Sequence, residues 1–352
     1  MESIKEELIS GSPEEIFNKG ELYYYGIGCE QDYARAAYYF EYAADLGYAP
    51  AQYRLGCCYQ FGNGVEKSYD KAVSRYTAAA EQGNAEAQNE LGCCFFNGIG
   101  VEKSFEKAVF WYTKAAVQEN ILAQRNLGVC YYLGQGVEQS CGKAAYWHSK
   151  AAEHGNAVSQ NTIGIFFENG YGVQKNIGKA VYWYQKAAEQ GNSSAQYNLA
   201  VCYYNGKGIS QNYKMAAVWY RRSADQGYAN AQNNLGVCYE KGNGVDRDYR
   251  TAAYWYTKAA EQGFAMALNN LGVCYELGNG VQKSIEKAVY WYKTSADSGY
   301  SGAQRALGVC YEKGIGMKTD YRLAGEWYKK AAEQGDADAK AKYEALKSKG
   351  LI

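Results

Sequence analysis

Proline is nearly missing from this chain: Pro13 and Pro50 are the only two among 352 residues. Long strands bounded by proline turns are therefore not expected, and the 40 glycines and 37 tyrosines suit helices joined by tight glycine turns instead. Histidine is equally scarce, at His148 and His154, so a metal site would have to be built almost without imidazole. Net charge is missing as well. The 37 basic and 37 acidic side chains cancel, which leaves no field to attract nucleic acid or an anionic membrane. No stretch approaches the roughly eighteen uninterrupted apolar residues of a membrane-spanning helix. Residues Met1–Gly11 carry Glu2, Glu6 and Glu7 and no apolar run, unlike an ordinary export signal. These absences point to a cytoplasmic protein that binds neither nucleic acid nor membrane.

What is present is periodicity. Segments equivalent to the one opening with Ala51 and Gln52 start at Ala87, Ala123, Ser159, Ala195, Ala231, Ala267 and Ala303, each 36 residues after the last. A further repeat fits before them from Glu15, giving nine full repeats over 15–338 without an insertion. Residues 1–14 read as an amino-terminal cap segment and 339–352 as a carboxyl-terminal capping helix. Ser12, Pro13 and Glu15 form a capping-box start.

Within each repeat, Ala51, Leu55, Cys58 and Tyr59 fall on one face of an opening helix. That helix stops at two glycines one residue apart, such as Gly62 and Gly64, because glycine supplies the left-handed backbone of a helix end. Four residues beyond the second glycine stands Asp32, Ser68, Ser104, Ser140, Asn176, Asn212, Asp248, Ser284 or Asp320, each able to accept an exposed N–H bond and start a second helix. That helix carries an aromatic pair such as Trp183 and Tyr184, and all seven tryptophans occupy one repeat position. A hairpin of this kind must stack on its neighbours to bury its apolar face. The fold expected is all-α, a superhelical solenoid of nine hairpins.

The pattern Ala231, Leu235, Gly236, Tyr239, Gly242, Gly244, Val245, Ala252, Trp255, Tyr256, Ala259, Ala260 and Gly263 closely resembles the Sel-1-like repeats, relatives of the tetratricopeptide repeats. The resemblance implies antiparallel helix pairs acting as an adaptor for protein partners rather than as an enzyme. Some secreted relatives pair cysteines within each repeat and are described as binding or cleaving penicillin-like compounds. This chain has Ala187 and Ala188, or Ala259 and Ala260, where those relatives place a cysteine near the end of the second helix, so neither property carries over readily.

The remaining chemistry reads as structural. Eleven cysteines form an odd set without an export signal, which favours reduced thiols. Seven of them, from Cys58 to Cys310, recur on the buried face, and Phe166 replaces one. Cys57 and Cys93 precede two of these and leave open a redox-responsive regulator. The Gly-x-Gly pairs lack the strand and third glycine of a nucleotide fingerprint. No cofactor, metal or catalytic constellation is expected, and a monomer is.

A partner surface is expected along repeat positions three, seven and ten of the opening helices, a stripe that in tetratricopeptide-like solenoids lines the concave groove, with position four beside it. Position three reads Tyr53, Asn89, Arg125, Asn161, Tyr197, Asn233, Asn269 and Arg305, with Asn126, Asn198, Asn234 and Asn270 at position four. Asparagine both donates and accepts, so a ladder of them suits the backbone of an extended peptide; the competing reading has them bonding within the protein. Position ten gives Gln60, Phe96, Tyr132, Glu168, Tyr204, Glu240, Glu276 and Glu312, aromatic early and acidic late. A partner with apolar residues toward one end and basic residues toward the other is the expectation.

Overall fold

The computed structural model describes residues 11–352. Most of the expected amino-terminal cap segment, and the Met1–Gly11 reading with it, lies outside the described residues. The chain divides into two compact bodies, Met1–Asn176 and Ile177–Ile352. Among the described residues there are nineteen helices and no strand.

The amino-terminal body holds α1 (Pro13–Tyr25), α2 (Tyr33–Asp45), α3 (Ala49–Phe61), α4 (Tyr69–Glu81), α5 (Ala85–Asn97), α6 (Phe105–Val117), α7 (Ile121–Leu133), α8 (Cys141–Glu153) and α9 (Ala157–Asn169). The carboxyl-terminal body holds α10 (Ile177–Glu189), α11 (Ser193–Asn205), α12 (Tyr213–Asp225), α13 (Ala229–Lys241), α14 (Tyr249–Glu261), α15 (Ala265–Leu277), α16 (Ile285–Asp297), α17 (Ser301–Lys313), α18 (Tyr321–Glu333) and α19 (Ala337–Ser348). Within each body every helix packs on the next, so hairpins stack in sequence order as a solenoid. The expected fifth hairpin, α9 with α10, has one helix in each body.

Local chemistry sets the helix boundaries. Ser12 and Glu15 close a full capping box at the start of α1. The side chains of Asp32, Ser68, Ser104 and Ser140 cap the closing helices of the amino-terminal body; Asn212, Asp248, Ser284 and Asp320 do the same in the other. Opening helices begin two residues before the repeat origin chosen from the sequence. Asn84, Asn120, Asn156, Asn192 and Asp336 cap five of them, a second row of caps hidden by that choice.

The turn glycines do two different jobs. Gly62 ends α3 in the left-handed conformation. Gly64, also left-handed, has no room for a side chain: a Cβ there would lie 1.9 Å from the carbonyl oxygen of Tyr33, at the start of α2. Each later turn lies directly on the previous closing helix, whereas Gly28 in the first has open space around it, so from the second hairpin onward the glycine pair serves stacking as well as the end of a helix.

The core repeats the same buried positions from hairpin to hairpin in each body. Ala51, Leu55, Cys58 and Tyr76 are buried in the first; Ala231, Leu235, Cys238 and Tyr256 are buried in the second. Each such bulky side chain removed from water contributes about 1.5–3 kcal/mol. Between repeats runs a buried glutamine ladder. Gln88 donates to the carbonyl of Ala80 at 3.0 Å and accepts from Gln118 at 2.8 Å. Gln232 donates to the carbonyl of Ala224 at 3.1 Å and accepts from Gln262 at 2.8 Å. These bonds give a second donor to backbone carbonyls at the ends of closing helices, which already accept the turn N–H of Gly83 and of Gly227. At the carboxyl end α19 buries Leu346, packs Tyr343 beside it and exposes Lys340 and Lys347, the two-sided character of a terminal cap. No helix of the described residues is long and apolar enough to cross a membrane.

Candidate partner-binding stripes

In the amino-terminal body the stripe starts with Tyr53, whose ring packs on Tyr76 at 6.0 Å. Burial pushes the Tyr53 phenol up. Asn89 is 3% exposed and donates to the Glu90 carboxylate at 3.1 Å. Burial raises the pKa of Glu90 in turn. On the next opening helix Asn126 donates to the side-chain oxygen of Asn89 at 3.1 Å, and Arg125 donates to Asn126 at the same distance. Phe96 meets Phe105 edge-on and Tyr132 tilts against Phe166, with centroids 5.1 and 5.3 Å apart. Asn161 and Glu168 are half-buried on α9. Phe96, Arg125, Asn126 and Tyr132 share the lining of a cavity of about 650 Å³.

The carboxyl-terminal body repeats the scheme with different chemistry. Asn233 is 1% exposed; it accepts from Asn270 at 2.9 Å and donates to Asn234 at 3.2 Å, which donates to the Tyr220 hydroxyl at 3.3 Å. Tyr197 stacks obliquely on Tyr228, and Tyr204 accepts from Asn243 at 2.7 Å. Asn198 and Asn269 are half-buried. Arg305 is held by Asp336 at 2.9 Å. The glutamates form the most regular feature. Glu240, Glu276 and Glu312 each accept the hydroxyl of the buried tyrosine on their own hairpin, Tyr256, Tyr292 and Tyr328, at 2.5, 2.5 and 2.6 Å. Such charge-assisted bonds fix the carboxylates in place, and burial together with the glutamate pushes each phenol up. Lys342 lies 3.5 Å from Glu312, whereas Glu240 and Glu276 have no cation within ion-pairing distance among the described residues.

The asparagine ladder therefore divides. Asn89 with Asn126, and Asn233 with Asn270, spend their amides tying one opening helix to the next, because neighbouring helices cover Asn89 and Asn233. Buried as they are, Asn89 and Asn233 present nothing to a guest, which corrects the expectation that they line a groove. Position ten is half-buried in both bodies, except that Tyr132 is exposed.

Two features escaped the sequence reading. Phe110 and Tyr146 in one body, and Tyr182, Tyr254 and Tyr290 in the other, are more than half exposed on the closing helices, each edge-on to the tryptophan that follows it. The exposed cysteine is Cys29, while Cys57 and Cys93 are half-buried. Burial raises both of those thiols, and Tyr76 and Tyr112 donate to them at 3.5 and 3.4 Å. Neither is the thiolate that fast oxidation requires.

Comparison with known proteins places this geometry in context. The Sel1 repeat model matches nine times, over residues 17–48, 49–84, 85–119, 121–156, 157–192, 193–228, 229–264, 265–300 and 301–336. A protective antigen present in uropathogenic Escherichia coli strains, described as displaying an SLR fold, is 36% identical, with a TM-score of 0.89 over 96% of this chain and 73% of that one. A Sel1 repeat protein from Oxalobacter formigenes is 31% identical, with a TM-score of 0.66 over 87% of this chain and 89% of that one. An archaeal signal-transduction ATPase with a tetratricopeptide sensor, from Pyrococcus horikoshii, shares the fold at 16% identity and a TM-score of 0.54. No curated protein sequence matches. With its repeat matched along most of its length, the chain belongs to the Sel1 repeat family.

Proposed function

We propose that this chain is a non-catalytic scaffold that binds protein partners through the position-ten side chains of its opening helices. The observation that carries the reading is the row of glutamates in the carboxyl-terminal body. Glu240, Glu276 and Glu312 recur one per repeat, are pinned by tyrosine hydroxyls, and leave at least two carboxylates without a cation. A fixed row of uncompensated charge suits a basic partner segment, since the geometry needs no ordering at the moment of binding. In the amino-terminal body Phe96 and Tyr132 offer aromatic surface instead, which suits apolar partner residues. A reducing, cytoplasmic setting remains part of this reading, supported by eleven free thiols.

The test compares affinity capture from native lysate by the wild type and by the triple variant E240K/E276K/E312K, with circular dichroism confirming that both are helical. A partner retained by the wild type and lost by the variant supports the reading. A partner held equally by both refutes the assignment of the glutamate row.

A further inference from the structure

The 36-residue pattern is broken at several positions together in the amino-terminal body. His148 stands where α4 and α6 carry Tyr76 and Tyr112; Ser159 stands where α3, α5 and α7 carry Ala51, Ala87 and Ala123; Phe166 stands where they carry Cys58, Cys94 and Cys130. In space these departures are neighbours. The Nδ1 of His148 lies 3.3 Å from the Ser159 hydroxyl, and the imidazole is edge-on to Phe166 with centroids 5.9 Å apart. An alanine at 159 would leave that buried nitrogen without its partner, so the histidine and the serine belong together.

The imidazole is also shorter than the phenol it replaces. Its Nε2 ends against α7, 2.9 Å from where a Cβ on Gly128 would stand, whereas the equivalent Tyr112 extends to Cys93. His148 lines the cavity of about 650 Å³. That volume lies within the roughly 300–1,000 Å³ of small-molecule sites, and the lining has their character: mostly apolar and aromatic, with few polar groups. Tyr132, Ile165 and Phe166 supply the apolar wall; Arg125 and Asn126 supply the polar edge.

Arg125 lacks a carboxylate partner among the described residues. The chain contains its own comparison. Arg305 occupies the same repeat position and is held by Asp336, but the residue that stands to Arg125 as Asp336 stands to Arg305 is Asn156, whose amide oxygen caps α9. Arg125 is left with the side-chain oxygen of Asn126. Burial, helped by Arg125, keeps His148 neutral, and Arg125 is the one charged side chain among the residues that line the cavity.

We propose that this cavity binds a small aromatic carboxylic acid, its ring against Tyr132 and Phe166 and its carboxylate on the Arg125 guanidinium. The planar fork of arginine matches a carboxylate with two parallel bonds, and an aryl group gains most from an aromatic wall. This inference shares Phe96 and Tyr132 with the aromatic half of the scaffold reading but no residue with the glutamate row, so capture by the glutamates and binding of the acid are read by separate variants and fail separately.

The experiment is isothermal titration of the full chain with 1-naphthaleneacetate and with the neutral 1-naphthaleneacetamide. Saturable one-to-one binding of the acid is expected, with the amide and the R125Q variant each at least about tenfold weaker, the scale of a charged hydrogen bond. A second variant, H148Y/S159A, restores the residues of the other repeats and loses binding while keeping its helical circular dichroism. Equal affinity for acid and amide, or unchanged binding by either variant, overturns the proposal. So does the absence of saturable heat at millimolar acid. Binding of a peptide that ends in tryptophan with a free carboxylate, without binding of the free acid, overturns it as well by assigning the cavity to a partner's terminus.

Discussion

His148 should contribute to destabilising the amino-terminal body as the pH is lowered. The ring is 2% exposed, and burial, aided by Arg125, pushes its pKa down to about 4 from an ordinary value near 6.5. The unfolded chain therefore takes up this proton before the folded chain does. Stability from the neutral imidazole is complete above the unfolded value and is lost as the pH falls from there toward the folded one. The whole window corresponds to about 3 kcal/mol, and roughly 2 kcal/mol of it is lost between about pH 7 and about pH 5. Other groups titrate in the same range, so the measurement is a difference. Urea unfolding of the wild type and of H148Y, the residue used by the neighbouring repeats, is followed at both pH values. The wild type should lose about 2 kcal/mol more than the variant on acidification. Equal losses, or a smaller loss for the wild type, would mean that the folded chain accommodates the imidazolium, and the argument from burial would fail.

Two further outcomes follow from packing. In G236A the new Cβ would lie 2.6 Å from the ring of Tyr256, which is buried and tied at its tip to Glu240; overpacking of about 1–3 kcal/mol outweighs the roughly 1 kcal/mol that alanine adds to a helix. The urea midpoint should fall, and a rise would show that the ring yields freely. Ala200 is tolerated at the same repeat position where Tyr220 is bonded to Asn234 instead of a glutamate, and A200G should cost about 1 kcal/mol from helix propensity alone. Ellman's reagent under native conditions should label Cys29 first and leave Cys57 and Cys93 slow, because both are half-buried with raised thiols; labelling of either as fast as Cys29 would revive the redox regulator.

The repeat, its helices and their order were legible in the chain alone because each depends on residues close together: a capping side chain, a glycine pair and an apolar stripe within 36 residues. The second row of caps at Asn84, Asn120, Asn156 and Asn192 was equally local, and was missed only because the origin of the repeat was set two residues late. The site was legible in part. Glu240, Glu276 and Glu312 could be picked out as a row, but their tyrosine partners lie sixteen residues along the chain and on the facing helix.

What the amino-acid sequence determined by itself was therefore the period and the type of every element, since these follow from contacts within one turn or one hairpin. Only the tertiary structure decided which edge of the opening helix is covered. Asn89 and Asn233 look like surface residues on a helical wheel, yet the next repeat buries them and takes their amides. Stacking also turned three scattered departures, His148, Ser159 and Phe166, into neighbours at one cavity. The physical reason is the same in both cases: a helix states which residues share a face, and only the packing of a neighbour decides whether that face meets protein or water.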